Sequence, residues 1–357
     1  MKTYIKYLLK LYSFSFLKVF FIFFGIILIL NILDQSNFFK DLKVHFLFPV
    51  LLSFLNTPST IFEILPFIFL ISTQFFFIKL IDSYELEIFK YSGLDNLKIV
   101  KIISLLSFVF GIFIIIFYYS ASSLMKSSYL SLKSKYTDDN KYLAVVTENG
   151  LWIKDEIKES IKIINANNID EQFLNEVLIF QFNKNFELLE TIESKKVDVS
   201  TNTWRLIDPI IFRDNSQIQI KEMFLNSNFD LKKIKSLFSN LSSLTIYDLI
   251  KLRKSYKSLN YSLIEVDAHL IKIVSYPFYL TLITVLTSII MFNIGFRKDT
   301  LFKIILGIFL SVTIYYINYF FNVLGTSEKI PLMLSIWFPL IILSIINATF
   351  IVRLNEK

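Results

Sequence analysis

The chain has 357 residues, of which 54% are hydrophobic and only 19% are charged, and this composition excludes an ordinary soluble domain and indicates a membrane protein. The net charge of +7 comes without a stripe of basic residues interleaved with aromatics outside the membrane flanks, so no nucleic-acid partner is expected. The absence of cysteine excludes disulfides, thiol catalysis and cysteine-ligated metals.

Three apolar runs in the first third of the chain predict three membrane spans. Phe14 to Leu33 is long enough to cross a hydrocarbon core of about 30 Å, and no small-residue cleavage site follows it, so we expect an uncleaved anchor. A mixed segment, Phe38 to Asn56, comes next. The second span is predicted to begin after Pro58 and to cover Ile61 to Ile81, and Ile99 to Ala121 makes the third.

A short polar stretch separates the second and third spans. With a period of 3.6 residues it forms an amphipathic helix that places Leu86 and Phe89 on one face and Glu87 and Lys90 on the other, and Gly93 ends it at the C′ position. Such a helix lies across the membrane surface. It is either a connector that returns the chain to the bilayer or a docking element for a cytosolic partner.

Residues 122–263 contain no apolar run long enough to span a membrane, and show short alternating segments between turn residues. Asn149-Gly150 is a strong hairpin signal. Three hairpins are predicted: Tyr142 to Val146 with Leu151 to Lys154, Val177 to Phe182 with Phe186 to Ile192, and Val197 to Val199 with Trp204 to Ile207. Regularly spaced short strands are typical of an antiparallel sandwich or a jelly roll.

The last third of the chain returns to the membrane. Thr245, followed three residues later by Asp248, predicts the start of a charged helix that leads back to the bilayer. Three further spans follow: Leu270 to Ile294, Leu301 to Phe321 and Leu332 to Val352. The predicted fold is therefore a six-helix membrane protein, three plus three, with an inserted all-β domain, and the domains are 1–121, 122–263 and 264–357.

The distribution of basic residues predicts the orientation in the membrane. Lysine and arginine near the span ends all fall on one side of the predicted topology: Lys2, Lys6, Lys10, Lys90, Lys98, Lys101, Arg297, Lys298, Lys303 and Arg353. The positive-inside rule makes that side cytoplasmic. Both termini are then expected in the cytoplasm, and the β domain in the periplasm.

The sequence contains no pattern of an enzyme. The seven glycines provide no pair at the spacing of a Walker A loop, so the chain is not expected to hydrolyse ATP by that route, and no catalytic residue, metal ligand or cofactor is predicted. Asn318 and Asn322 lie at i and i+4 on the fifth span. They either join helices by hydrogen bonds or face a cavity, and we favour hydrogen bonding between helices.

Several motifs resemble those of the LptF/LptG family. Glu85-Leu86, Lys90 and Ser92-Gly93 are similar to the S-E-L-x-x-[LM]-[RQ]-x-[AS]-G segment of that family, and Gly150-Leu151-Trp152-Ile153-Lys154-Asp155 resembles its LptG branch. The order of spans and β domain extends the resemblance over nearly the whole chain. The resemblance implies a permease subunit of the ABC transporter that extracts lipopolysaccharide from the bacterial inner membrane and passes it toward the outer membrane, with a periplasmic β-jelly roll.

The same resemblance implies partners and site residues. Segment 82–93 would be the coupling helix that receives the ATPase, with Glu85, Leu86, Lys90 and Gly93 as the matching positions. The expected partners are an LptF-like permease in a heterodimer, an LptB ATPase dimer that binds the ATP, and the single-span protein LptC.

Lys40 and Lys43 are the candidate residues for binding lipopolysaccharide. A helix that continues past the first span would place both ammonium groups on one face, because they are three residues apart. The resemblance implies that basic residues at this level hold lipopolysaccharide phosphates, although here Ser36 to Phe39 intervenes between Asp34-Gln35 and the lysines, and Asn31 stands where relatives carry a lysine. The alternative is that both are ordinary interfacial anchors.

A different class of function also fits the arrangement of spans and β domain. The chain could be a non-transport inner-membrane receptor or an envelope-assembly scaffold whose β domain binds a partner. The identity of co-purifying subunits discriminates between the two.

Overall fold

The computed structural model describes residues 3–40, 42, 44–136, 151–157, 160–170, 172–183, 185–213, 216–231, 234, 240–258, 262–294 and 300–355. The chain divides into two compact units. One unit comprises Met1–Lys126 and Ile264–Lys357 and is built of helices, whereas the other, Ser127–Leu263, contains the strands.

Nine α-helices occur in the described ranges: α1 Thr3–Phe38, α2 Leu47–Asp82, α3 Glu85–Tyr91, α4 Asn96–Phe113, α5 Ser120–Lys133, α6 Ile246–Ser258, α7 Ile264–Ile294, α8 Thr300–Thr326 and α9 Leu332–Asn355. A π-helical stretch, Ile114–Tyr119, makes α4 and α5 one continuous rod. Within this described part, six helical rods are long and apolar enough to cross a membrane. Together with the inserted strands, they confirm the predicted fold class of a helical membrane protein with a β domain.

Two helices form the centre of the membrane unit. Most of the apolar window of α2 is buried, and so is most of that of α7, whereas α8 is almost entirely exposed along its window. Helices α4 and α7 approach most closely at Gly111, where an added Cβ would lie 2.8 Å from the Cα of Pro277. Nearby, the hydroxyls of Ser107 and Thr284 lie 2.9 Å apart. Small residues and buried hydroxyls are the usual means by which membrane helices pack.

The second span begins earlier than the sequence predicted. Helix α2 starts at Leu47 and passes through Pro58, so the expectation of a start after this proline was wrong. Membrane helices tolerate proline where neighbouring groups satisfy the backbone. Around this proline the hydroxyls of Ser53 and Thr57 donate to the Pro49 and Ser53 carbonyls, and the Tyr118 hydroxyl donates to the Pro58 carbonyl at 3.0 Å.

The first helix ends earlier than the sequence predicted. Helix α1 stops at Phe38, and Lys40 lies in the turn that follows, so the expected helical continuation that would align it with Lys43 is not formed. The cause is Phe39, which is buried and packs against Phe48 of α2 with ring centroids 5.3 Å apart. This contact turns the chain back. Lys43 itself lies outside the described residues.

The described strands of the second unit form one antiparallel sheet. They are β1 Leu151–Ile157, β2 Ser160–Asp170, β3 Phe173–Phe182, β4 Leu188–Asp198, β5 Thr203–Ile207, β6 Ile210–Arg213, β7 Ser216–Gln219 and β8 Glu222–Asn226. The sheet order is β1-β2-β3-β4-β5-β8, and β6 pairs with β4 and β7. The pairings of β3 with β4 and of β4 with β5 confirm two predicted hairpins. Tyr142 to Val146 and Asn149-Gly150 lie outside the described residues, and the jelly-roll arrangement stays a prediction.

The interior of the sheet domain contains polar groups beside its apolar core. Trp204 is fully buried, and its indole donates to the Phe229 carbonyl at 2.7 Å. Asp155 is also fully buried and accepts hydrogen bonds from the backbone and side chain of Asn228. On the neighbouring strand, Lys162 donates to a backbone carbonyl, and its burial lowers the pKa of its ammonium group. Buried polar groups of this kind must be paired.

The predicted helix start near residue 245 is confirmed. Helix α6 begins at Ile246, and the hydroxyl of Thr245 accepts a hydrogen bond from the Asp248 backbone N–H at 3.3 Å. The same hydroxyl donates to the Asp248 carboxylate at 2.6 Å. The two residues therefore cap the helix as their spacing indicated.

Candidate functional site

Helix α3, between the second and third spans, is a single short helix with well-defined ends. Tyr84 precedes it with a φ of +57°, and Gly93 follows it with a φ of +77°. The Gly93 N–H donates to the Lys90 carbonyl at 3.0 Å, and the Leu94 N–H donates to the Phe89 carbonyl at 2.9 Å. This pair of bonds is a Schellman motif, which requires a left-handed C′ residue. Gly93 therefore occupies the C′ position that the sequence predicted.

Two of the predicted coupling residues face the membrane unit. Leu86 is buried in an apolar cluster with Leu8 of α1 and Phe77 of α2. The Glu85 carboxylate accepts a hydrogen bond of 2.6 Å from the Tyr7 hydroxyl of α1. These contacts attach α3 to the ends of α1 and α2, so Glu85 and Leu86 are placed to position the helix.

The opposite face of α3 is exposed and partly apolar. Tyr84, Ile88 and Tyr91 are 64%, 58% and 90% exposed, and Lys90 is exposed beside them. We call Tyr84, Ile88 and Tyr91 the outer stripe. Ile88 and Tyr91 are three residues apart and share one side of α3, and Tyr84 is exposed just before the helix begins. Sequence reasoning missed Ile88, although this spacing was the signal that could have found it.

Polar residues join α1, α2 and α5 at one end of the membrane unit. The side-chain amide N–H of Asn31 donates to the Thr57 hydroxyl at 3.1 Å, and that of Asn56 donates to the side-chain oxygen Oδ1 of Asn31 at 3.0 Å. The ammonium group of Lys126 donates to the side-chain oxygen Oδ1 of Asn56 at 2.5 Å. Asn31 therefore joins helices.

Asn318 and Asn322 fit both of the arrangements that the sequence left open. Asn318 donates to the Ile314 carbonyl of its own helix at 3.0 Å, and its side chain also hydrogen-bonds to Tyr279 of α7, so the favoured prediction is confirmed for this residue. Both asparagines also line a cavity among the membrane helices, as the alternative predicted. Their spacing fitted both interpretations because it defines a helix face but not what lies opposite.

The sheet domain carries exposed apolar side chains around a groove. The groove has a volume of about 410 Å³ and lies along β4, β6 and β7. Leu188, Leu189 and Phe212 line it and are 55%, 45% and 39% exposed. Polar residues complete its lining: Glu190, Thr191, Arg213, Ser216 and Gln217. The three exposed apolar side chains offer a surface for an acyl chain or for an apolar segment of a partner.

Among the described residues, no group of three or more histidine, aspartate or glutamate side chains could hold a metal ion. Lys40, in the turn after α1, is exposed. It lies nine residues after Asn31 in the chain, at the end of the membrane unit where α1 ends and α2 begins.

Comparison with known proteins identifies one family. A search of curated proteins returns no match. The family model for the lipopolysaccharide export system permease LptF/LptG matches residues 6–353, which covers both halves of the membrane unit and the inserted domain. The chain therefore belongs to the LptF/LptG family of lipopolysaccharide export permeases and is a multi-pass inner-membrane protein.

Proposed function

We propose that the chain is the LptG-like permease subunit of an ABC transporter that extracts lipopolysaccharide from the inner membrane and passes it to a periplasmic bridge. The single observation that carries this proposal is α3, a helix held against the ends of α1 and α2 with an exposed stripe on its outer face. Family membership and the split arrangement of six spans support it. The choice of LptG over LptF rests on the Gly150 to Asp155 motif in the sequence.

The outer stripe is the proposed seat of the ATPase. Tyr84, Ile88 and Tyr91 would enter a groove on an LptB-like subunit as an amphipathic helix does, while Lys90 contacts its rim. Glu85, Leu86 and Gly93 contribute by holding α3 in position. ATP is bound by that partner, and movement of α3 would be transmitted directly to α1 and α2.

The exposed helices are the proposed surface for a second permease. Helix α8 exposes Ile305, Phe309 and Phe320 at 63%, 68% and 60%, and α1 exposes a similar apolar face. Exposed apolar faces of this size meet either lipid or another membrane helix. An LptF-like subunit would pair there, and lipopolysaccharide would be held between the two permeases.

The proposed route of the lipid continues outside the membrane. Both termini are proposed to be cytoplasmic and the sheet domain periplasmic, because the basic residues cluster on one side of the topology. The groove lined by Leu188, Leu189 and Phe212 would then carry acyl chains toward LptC. Lys40 remains the proposed contact for a lipopolysaccharide phosphate. If it makes this contact, a photo-crosslinker at position 40 should capture lipopolysaccharide.

The test is purification of the tagged chain from its native membrane, followed by identification of the subunits that accompany it. We expect an ATPase and a second permease of the same architecture. Ile88→Glu introduces a charge into the outer stripe without changing a span, so it should remove most of the ATPase and leave the second permease in place.

Lys98→Glu is the matched control, because Lys98 is exposed in the first turn of α4, which follows α3, and lies outside the outer stripe. It should retain the ATPase. Purification without an ATPase or a second permease would instead favour the receptor or scaffold, and normal recovery of the ATPase with Ile88→Glu would place its docking site elsewhere.

A further inference from the structure

A cavity with a partly polar lining lies among α2, α7, α8 and α9 of the membrane unit, and it is open where Glu63 and Lys272 are exposed. Its volume is about 140 Å³. A single water needs only about 10–15 Å³, so the cavity has room for a ligand group. Its polar lining includes Glu63, Lys272, Tyr315, Asn318, Tyr319 and Asn322.

Opposite charges line this cavity without neutralising each other. In the part of the chain that the structure describes, the Glu63 carboxylate and the Lys272 ammonium group form no ion pair within 4.0 Å and no hydrogen bond. The hydroxyls of Tyr315 and Tyr319 and the amide of Asn322 likewise have no hydrogen-bond partner within those ranges. Unpaired charges in a membrane helix are costly, and they usually mark a binding site.

Two of the polar groups, Lys272 and Asn322, lie toward one end of the membrane unit. Lys272 is eight residues from the start of α7, about 12 Å at 1.5 Å per residue, and Asn322 is four residues from the end of α8, about 6 Å. Ile283 lies farther along α7, on the apolar side of the cavity. The cavity thus has Lys272 and Asn322 near helix ends and Ile283 farther in, while Glu63 contributes the opposite charge from near the middle of α2.

We propose that this cavity binds a zwitterion that carries an ammonium group and a phosphate, the chemistry of a phosphoethanolamine headgroup. The ammonium group would pair with Glu63, against the faces of the tyrosines, and the phosphate would pair with Lys272 and accept from the Asn322 amide. An anionic ligand would leave Glu63 unpaired, and a cationic ligand would leave Lys272 unpaired. Only a ligand with both charges satisfies both residues.

The same chemistry has two sources, a membrane phospholipid or a soluble ethanolamine phosphate. The full chain, purified with any subunits that accompany it, is placed in nanodiscs of equal amounts of phosphatidylethanolamine and phosphatidylglycerol, and the retained lipid is identified by native mass spectrometry. Parallel nanodiscs contain phosphatidylglycerol alone, and ethanolamine phosphate is added to them.

We expect the wild type to retain phosphatidylethanolamine over phosphatidylglycerol in a ratio of about five to one, an effect of the size that one charge-assisted contact has on a binding constant. Glu63→Gln and Lys272→Gln should abolish this preference. The matched controls Glu265→Gln and Lys329→Gln, which change residues that do not line the cavity, should keep it. Asn322→Ala should lower it partly and serves as the variant with least risk to folding.

The outcomes identify which molecule supplies the phosphoethanolamine group, and they test the proposal itself. Retention of phosphatidylethanolamine identifies the lipid as the occupant, whereas saturable binding of ethanolamine phosphate alone, lost in Glu63→Gln, identifies the soluble group. Absence of both in the wild type overturns the proposal. A preference that survives Glu63→Gln, Lys272→Gln and Asn322→Ala also overturns it. None of these results depends on the proposed transport of lipopolysaccharide.

Discussion

At the scale of single residues, the hydrogen bond between Tyr7 and Glu85 is the contact that most directly fixes α3. Its length is 2.6 Å, and its acceptor is a carboxylate. A hydrogen bond to a charged group contributes about 1.5–3 kcal/mol. Removing the Tyr7 hydroxyl should therefore loosen α3 while leaving the span of α1 intact.

We predict that Tyr7→Phe increases hydrogen exchange of the α3 amides by about tenfold, as loss of roughly 1.4 kcal/mol requires. Glu85→Gln should act in the same direction but less strongly, because a neutral acceptor replaces the carboxylate. It should add little to Tyr7→Phe, because both changes weaken the same contact. Hydrogen exchange of the full chain in detergent measures this. Additive effects of the two substitutions would show that they act through different contacts.

The buried lysine of the sheet domain gives a prediction for pH dependence. Burial lowers the pKa of Lys162 in the folded protein below its ordinary value of 10.5. Between the pKa of the folded protein and that of the unfolded chain, the unfolded chain binds more protons, so the free energy of unfolding increases with pH. Burial of the charged lysine lowers the free energy of unfolding fully below the folded pKa, and this loss disappears as pH rises to 10.5.

Lys162→Met removes that titration. The melting temperature of the wild type minus that of Lys162→Met should therefore increase as pH rises toward 10.5, because methionine has no charge to lose. Lys195→Met, at a position exposed on β4, is the control. A wild-type advantage that falls with rising pH would have the wrong sign and would contradict the assignment.

At the scale of elements, close packing of α4 against α7 depends on Gly111. Because an added Cβ would lie 2.8 Å from the backbone of Pro277, a larger side chain forces the helices apart. Overpacking of this kind costs about 1–3 kcal/mol. Gly111→Val should lower the melting temperature of the membrane unit by several degrees.

Gly25 is the matched control, because an added Cβ at this position on α1 would meet nothing within 4 Å. Gly25→Val should leave the melting temperature nearly unchanged. Both glycines lie in apolar spans, so the comparison isolates packing from hydrophobicity. Equal losses in the two variants would mean that valine destabilises either span for a reason other than contact with Pro277.

The same elements show what the sequence could predict. The six spans follow from apolar runs, because only a helix of about 20 residues satisfies its backbone inside a bilayer. Helix ends were less predictable. Pro58 suggested a helix start, but α2 continues through it. Helix α1 ends next to Phe39, which contacts Phe48 nine residues later in the chain.

The candidate site was predictable to a similar extent. The motif located α3 and the C′ role of Gly93, which depend on local sequence. It did not show that Glu85 and Leu86 face inward, because that depends on Tyr7 and Leu8, about 78 residues away in the chain. The cavity of Glu63 and Lys272 was also missed, since four helices distant in sequence form it.

At the scale of the whole molecule, topology determines which surfaces can meet which partners. We predict that Lys90→Cys and Ser200→Cys, introduced separately into this cysteine-free chain, are labelled from opposite sides of the membrane. An impermeant thiol reagent added to spheroplasts should reach position 200 and not position 90. Labelling of position 90 alone would invert the orientation and exclude α3 as a docking site for a cytosolic ATPase.

The central claim is that this chain exports lipopolysaccharide, and its depletion in the native cell tests that claim most directly. After synthesis of the chain is stopped, newly made lipopolysaccharide is pulse-labelled, and its amounts in the separated inner and outer membranes are measured. The account predicts that labelled lipopolysaccharide accumulates in the inner membrane, and that wild-type chain restores export while Ile88→Glu does not. Arrival of lipopolysaccharide in the outer membrane at an undiminished rate would contradict the account.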